Sequence, residues 1–116
     1  MKLKLIVVLV TDEETDLVLK TAREEGATGS TVITSARGEG LKPVKTFFGL
    51  DLESQRDVVL LLVEGHLSRT MLERIAEVGH FDDTPGTGIA FQIDIEDAVG
   101  LASQIATISS EIEEKI

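Results

Sequence analysis

The sequence predicts an α+β sandwich, two βαβ halves in the order βαββαβ with a further helix at the C-terminus. Three observations predict it. Leu3–Val10 and Asp57–Glu64 are near-continuous apolar runs rich in Leu, Ile and Val, the mark of strands covered on both faces. Each is followed by a stretch of helical periodicity that ends in a glycine, Gly26 in the first half and Gly79 in the second. A second β-prone run then follows each helix, at Gly29–Ala36 and at Ile89–Ile95.

The elements follow in order. After the first strand Thr11 offers an N-cap and Glu14 stands three residues later, a capping-box pattern with acids on the positive end of the helix dipole. That helix turns Leu17, Val18 and Ala22 inward and stops at Gly26, a good left-handed C′ residue. The strand GSTVITSA runs into Arg37-Gly38-Glu39-Gly40, and the chain is irregular from there to Glu53. Val58–Val63 is then apolar without a break. Ser68 caps a second helix whose Met71, Leu72, Ile75, Ala76 and Val78 keep the 3.6 period up to Gly79. His80–Gly88 is a turn-rich loop. In the last strand Ile89, Phe91, Ile93 and Ile95 alternate with Ala90, Gln92 and Asp94. Polar Gln92 and Asp94 on one face predict an oligomer interface or a wet site. Right-handed crossovers in both halves yield a four-stranded antiparallel sheet with two helices on one face, the ferredoxin-like sandwich. A third helix is expected over 96–115. Its Ala98, Leu101, Ile105, Ile108 and Ile112 form a heptad-like seam that packs either on its own sheet or between subunits.

Composition narrows the function classes. With 116 residues the chain fits one domain, residues 1–116, able to bury roughly two thirds of its unfolded surface. No cysteine is present, so disulfides, thiolate metal sites and cysteine nucleophiles are excluded. A net charge of −10, 11 Lys and Arg, and four Phe as the only aromatics argue against a nucleic-acid partner, whose phosphates require clustered cations. The apolar run near the N-terminus is too short for a signal peptide or a membrane span, and a cytoplasmic protein is expected.

The candidate chemistry lies in two glycine-rich loops, Arg37-Gly38-Glu39-Gly40 and Pro85-Gly86-Thr87-Gly88. Each sits at a strand end, where backbone amides can approach a ligand closely and cradle an anion. Ordinary turn chemistry serves equally well, because neither loop is a Walker A or a dinucleotide fingerprint. His80, Asp82 and Asp83 are candidates for a metal or a general base, but no nucleophile with an orienting partner accompanies them. Phe47 and Phe48 either anchor a partner or fold over the sheet.

Together, GATGSTVITSARGEG, VVLLLVE leading into a helix, and GTGIAFQIDIEDAVG resemble the P-II nitrogen-regulatory family over nearly the whole chain. The resemblance implies a ferredoxin-like homotrimer that binds adenine nucleotides in clefts between subunits. It also implies a long loop after the second strand, the T-loop, that engages partners such as ammonium channels, enzymes and transcription regulators. By position, Arg37, Gly38, Glu39 and Gly40 would form the base of that loop, with residues 37–55 as the T-loop-like segment. Thr31, Leu62 and Val63 would lie near the adenine, and Gly86, Thr87 and Gly88 near the phosphates.

The chain departs from the family pattern at three points. Ile89 stands where the family has a phosphate-binding lysine, and Glu96-Asp97-Ala98-Val99-Gly100 replaces its arginine pair. The spacing from Val32 to Gly38 is also one residue longer. Each charge-assisted phosphate contact contributes about 1.5–3 kcal/mol, so AMP, ADP or another small metabolite is expected rather than ATP. Arg37, Lys42 and Lys45 are the cations left to substitute in part. The reading is a cytoplasmic regulator and not an enzyme, with no required cofactor, an adenine-nucleotide effector, a homotrimer and a regulated protein partner. Its rivals are a ligand-free ferredoxin-like scaffold and an amino-acid-binding regulatory domain.

Overall fold

The computed structural model describes residues 2–36, 46–47, 50–51 and 55–100. Strand β1 (Leu3–Thr11) leads through a 3-10 turn (Asp12–Glu14) into helix α1 (Thr15–Glu24), and β2 (Thr31–Ala36) follows. A two-residue ladder joins β3 (Thr46–Phe47) to β4 (Leu50–Asp51) within the stretch expected to be irregular. Then come β5 (Arg56–Glu64), α2 (Gly65–Gly79) and β6 (Gly88–Asp94). The sheet has the order β2-β5-β1-β6 with every pair antiparallel, and both helices cover one face, which is the ferredoxin-like arrangement.

Alternation along the central strands divides their side chains between two faces. Ile6, Val8 and Val10 of β1 and Val59, Leu61 and Val63 of β5 turn toward the helices. They meet Val18 and Ala22 of α1 and Met71 and Ile75 of α2 in the buried core. The other face carries three cross-strand rows, Ile93–Leu5–Leu62, Phe91–Val7–Leu60–Thr31 and Ile89–Leu9–Val58–Ile33. Among the described residues this apolar face is only partly covered, with Ile33 50% exposed and Ile93 47%.

Several local expectations are corrected. No capping box forms at Thr11, because the chain makes a 3-10 turn first and neither helix has a side-chain cap bond. Thr15 opens α1 instead, and its Oγ1 donates to Asp57 Oδ2 at 2.6 Å inside the protein. With the helix starting there, the inward stripe is Thr15, Val18, Thr21 and Ala22, and Leu17 lies outside at 38% exposure. Helix α2 begins three residues before the expected cap, since β5 runs directly into it and Gly65 N–H donates to Lys2 O at 2.8 Å. Ser68 is then a buried first-turn residue whose hydroxyl donates to the Gly65 carbonyl at 2.9 Å.

Gly26 ends α1 as expected, at φ +107°, with Gly26 N–H on Arg23 O and Ala27 N–H on Ala22 O in a Schellman motif. Gly79 still belongs to α2, and the left-handed cap is His80 at φ +55°. Residues 95–99 are not helical and Gly100 bends at φ +88°, so no helix starts at Glu96. The rest of the predicted third helix, 101–115, lies outside the described residues.

Strand β2 contains a bulge. Ile33 pairs with Val58 and Ala36 with Arg56, so three steps on β2 match two on β5, and Ser35 takes φ +60°. This absorbs one extra residue before Gly38.

Candidate functional site

One end of the sheet gathers the segments that the sequence singled out. Thr11 pairs with Arg56, Ala36 with Arg56, and Val10 with Gly88. The end of β2, the start of β5 and the Gly86–Gly88 loop therefore share that end. Arg37, Gly38, Glu39, Gly40, Lys42 and Lys45 lie outside the described residues, as does Phe48.

The glycine loop is built by its own packing. His80 closes the second Schellman motif, with His80 N–H on Glu77 O and Phe81 N–H on Ala76 O. The carbonyl of His80 then accepts the Thr84 N–H at 2.9 Å and lies 3.1 Å from Thr87 Oγ1, which is 2.9 Å from the Thr84 carbonyl. The Thr87 proton is thus committed inside the loop. Gly86 sits at φ +82°, a conformation that side chains disfavour. A Cβ on Gly88 would stand 2.6 Å from the Phe81 ring and 2.9 Å from the Leu9 carbonyl. Close backbone approach at Gly88 is therefore required by the fold before any ligand is considered.

The residues assigned to the adenine fall elsewhere. Thr31 is exposed on β2, opposite Leu60, and Leu62 lies two residues further along β5 on the same open face. Val63 points the other way and is a core side chain at 5% exposure, so it offers a ligand no side-chain surface. Strands β2 and β6 are the two edges of the four-stranded sheet. Three strand spacings, roughly 14 Å, separate Thr31 from the strand that Gly88 opens.

Ile89 lies half-buried on the open face, paired with Leu9. Sequence reasoning passed over Arg56. Its guanidinium is buried at 4% exposure at the shared end of the sheet, beside Asp57 at 7%. The only signal for it was a charged pair directly before the apolar run of β5.

Gln92 and Asp94 do not mark an interface on the open face. They alternate onto the helix side, and Asp94 forms an ion pair with Lys4 there. The Lys4 hydrogen bond and charge, with Lys2 adding to them, hold the Asp94 carboxyl below the usual carboxylate range. The apolar partners in the alternation, Ile89, Phe91 and Ile93, are the ones facing outward. His80 and Asp83 are 3.8 Å apart and both well exposed, and no group of three metal-ligating side chains occurs among the described residues. On the helix side of β6 a groove of about 530 Å³ runs between α2 and the glycine loop, floored by Leu72, Ala76 and Phe81.

The P-II family model, described as nitrogen regulatory protein P-II, matches residues 3–104. The chain belongs to the P-II family. Three solved P-II-like structures share its fold. CPII from Thiomonas intermedia K12, bound to ADP, AMP and acetate, has a TM-score of 0.65 at 15% identity, covering 84% of this chain and 89% of that one. The same protein bound to ADP and bicarbonate has a TM-score of 0.62 at 17% identity, over 82% and 87% of the two chains. A PII-like signalling protein from Thermus thermophilus has a TM-score of 0.61 at 22% identity, over 82% and 88%. No curated protein sequence matches this P-II chain.

Proposed function

We propose that this P-II protein is a signalling regulator rather than an enzyme, and that it binds AMP or ADP in preference to ATP at the boundary between two copies of the chain. One observation carries the reading. Thr31 lies on the edge strand β2 and Leu62 on its neighbour β5, while the glycine loop lies at the opposite β6 edge, so one chain cannot close both Thr31 and the loop on a single nucleotide. The β2 edge of one copy set against the β6 edge of the next joins them. Arg37, Gly38, Glu39 and Gly40 complete that cleft in the P-II pattern, and segment 37–55 signals to a partner protein.

Assembly has its own driving force. The open face leaves Ile33, Leu62, Phe91 and Ile93 between 38% and 50% exposed. Covering what remains of each contributes about 1 kcal/mol. A homotrimer, as P-II proteins form, encloses this face. No helix among the described residues is long and apolar enough to cross a membrane, and a cytoplasmic site of action is part of the proposal.

The preference for AMP and ADP rests on Ile89, which places no charge beside the loop. Calorimetry with AMP, ADP and ATP, alongside light scattering for mass, tests the reading. Heat from AMP or ADP and a trimeric mass are expected, and no heat from any of the three at millimolar ligand rules the nucleotide site out. A ligand-free scaffold is the second reading, favoured by the way Phe81 and the Gly86 conformation account for the loop without a ligand. It predicts the same mass and no heat.

A further inference from the structure

Phe81 occupies an unusual place in the loop. Its backbone N–H is tied to the Ala76 carbonyl at 3.0 Å, which fixes its Cα against the end of α2. Its half-buried ring covers the bare faces of two glycines, Gly79 at the end of α2 and Gly88 at the start of β6. At Gly88 the ring takes the volume of a side chain, with Cε1 2.6 Å and Cζ 2.8 Å from where a Cβ would be. Thr87 and Thr84 brace the loop through the His80 carbonyl.

We propose that Phe81 is a positioning residue of the candidate nucleotide site, holding Gly86–Gly88 in the single backbone conformation that faces the ligand. The inference rests on the nucleotide reading above. With Ile89 directly after the last glycine, the loop depends on the fixed aim of its amides, and a rigid aim avoids an ordering cost on binding. Phe81 supplies that rigidity by packing its ring against Gly88.

The test compares Phe81→Leu and Phe81→Tyr with the wild-type chain by amide hydrogen exchange and by ADP and AMP titration. Phe81→Leu removes the ring from Gly88. It is expected to speed exchange at Gly86–Gly88, leave the amides of β1 and β5 protected, and weaken ADP about tenfold. Phe81→Tyr keeps the ring, and with it both wild-type properties. If Phe81→Leu does not fold, Phe81→Met takes its place, since a flexible thioether fills much of the same space. Unchanged exchange at Gly86–Gly88 overturns the inference, and so does faster exchange with wild-type affinity. Failure of the wild-type chain to bind any nucleotide overturns the nucleotide reading itself and is recognised from the wild-type titration alone.

Discussion

Asp94 and Lys4 face each other across β6 and β1, and Lys4 lowers the carboxyl pKa. A carboxyl depressed in the folded state favours folding above its unfolded pKa, and the contribution is lost as pH falls through the folded value. Lys4→Gln should therefore raise the Asp94 pKa toward the ordinary range, read by carboxyl NMR titration, with little change in stability at neutral pH because the pair is solvated. The Thr15–Asp57 bond is different in kind, since both groups are buried. Thr15→Val leaves the carboxylate without that donor and should cost about 1–3 kcal/mol in denaturant unfolding.

At the scale of elements, the join between α2 and β6 depends on two glycines meeting one ring. Gly79→Ala alone should destabilise the protein by about 1–3 kcal/mol, because the new methyl enters the space of the Phe81 ring. In a Phe81→Leu background the same substitution should cost less. The cycle should return a coupling of about 0.5–3 kcal/mol by thermal or urea unfolding. At Gly88 no such relief is expected, since the Leu9 carbonyl also blocks a side chain there. The β2 bulge acts at this scale too, placing its one extra residue in the last half of β2, between Ile33 and Ala36.

At the scale of the whole molecule, the open face of the sheet is the largest departure from a self-sufficient fold. Phe91 and Ile93 lie on it at 40% and 47% exposure, outside the helix-side core. Phe91→Asp should therefore disperse the proposed homotrimer into folded monomers, seen as a drop in mass by light scattering with circular dichroism retained. A variant that stays assembled would show that this face is not the interface.

The sequence by itself determined the four strands of the main sheet, the two helices that cover it and their order. Apolar runs in β1 and β5, the 3.6 period of α2 and the glycine at the end of α1 are local signals, each written within a few residues. It also determined family membership, because the strand and loop patterns recur in order along the chain. Helix starts were less legible. Thr11 and Ser68 have the right chemistry for caps, but the Thr15–Asp57 bond and the Gly65–Lys2 bond come from segments distant in sequence. The continuous apolar runs predicted strands covered on both faces; among the described residues the helices bury one face and the other is only partly covered.

The same holds for the candidate site. Position in the chain could group Thr31, Leu62, Val63 and Gly86–Gly88 as one cleft. The strand order decided that Thr31 and the glycine loop lie at opposite edges with Leu62 and Val63 on the inner strand β5, and the pleat decided that Val63 faces the core while Leu62 faces outward. Whether Gly88 is a glycine for a ligand or for its neighbours was likewise undecidable from spacing. The Phe81 ring and the Leu9 carbonyl give this glycine a packing reason of its own, because excluded volume is a property of atoms brought together by folding.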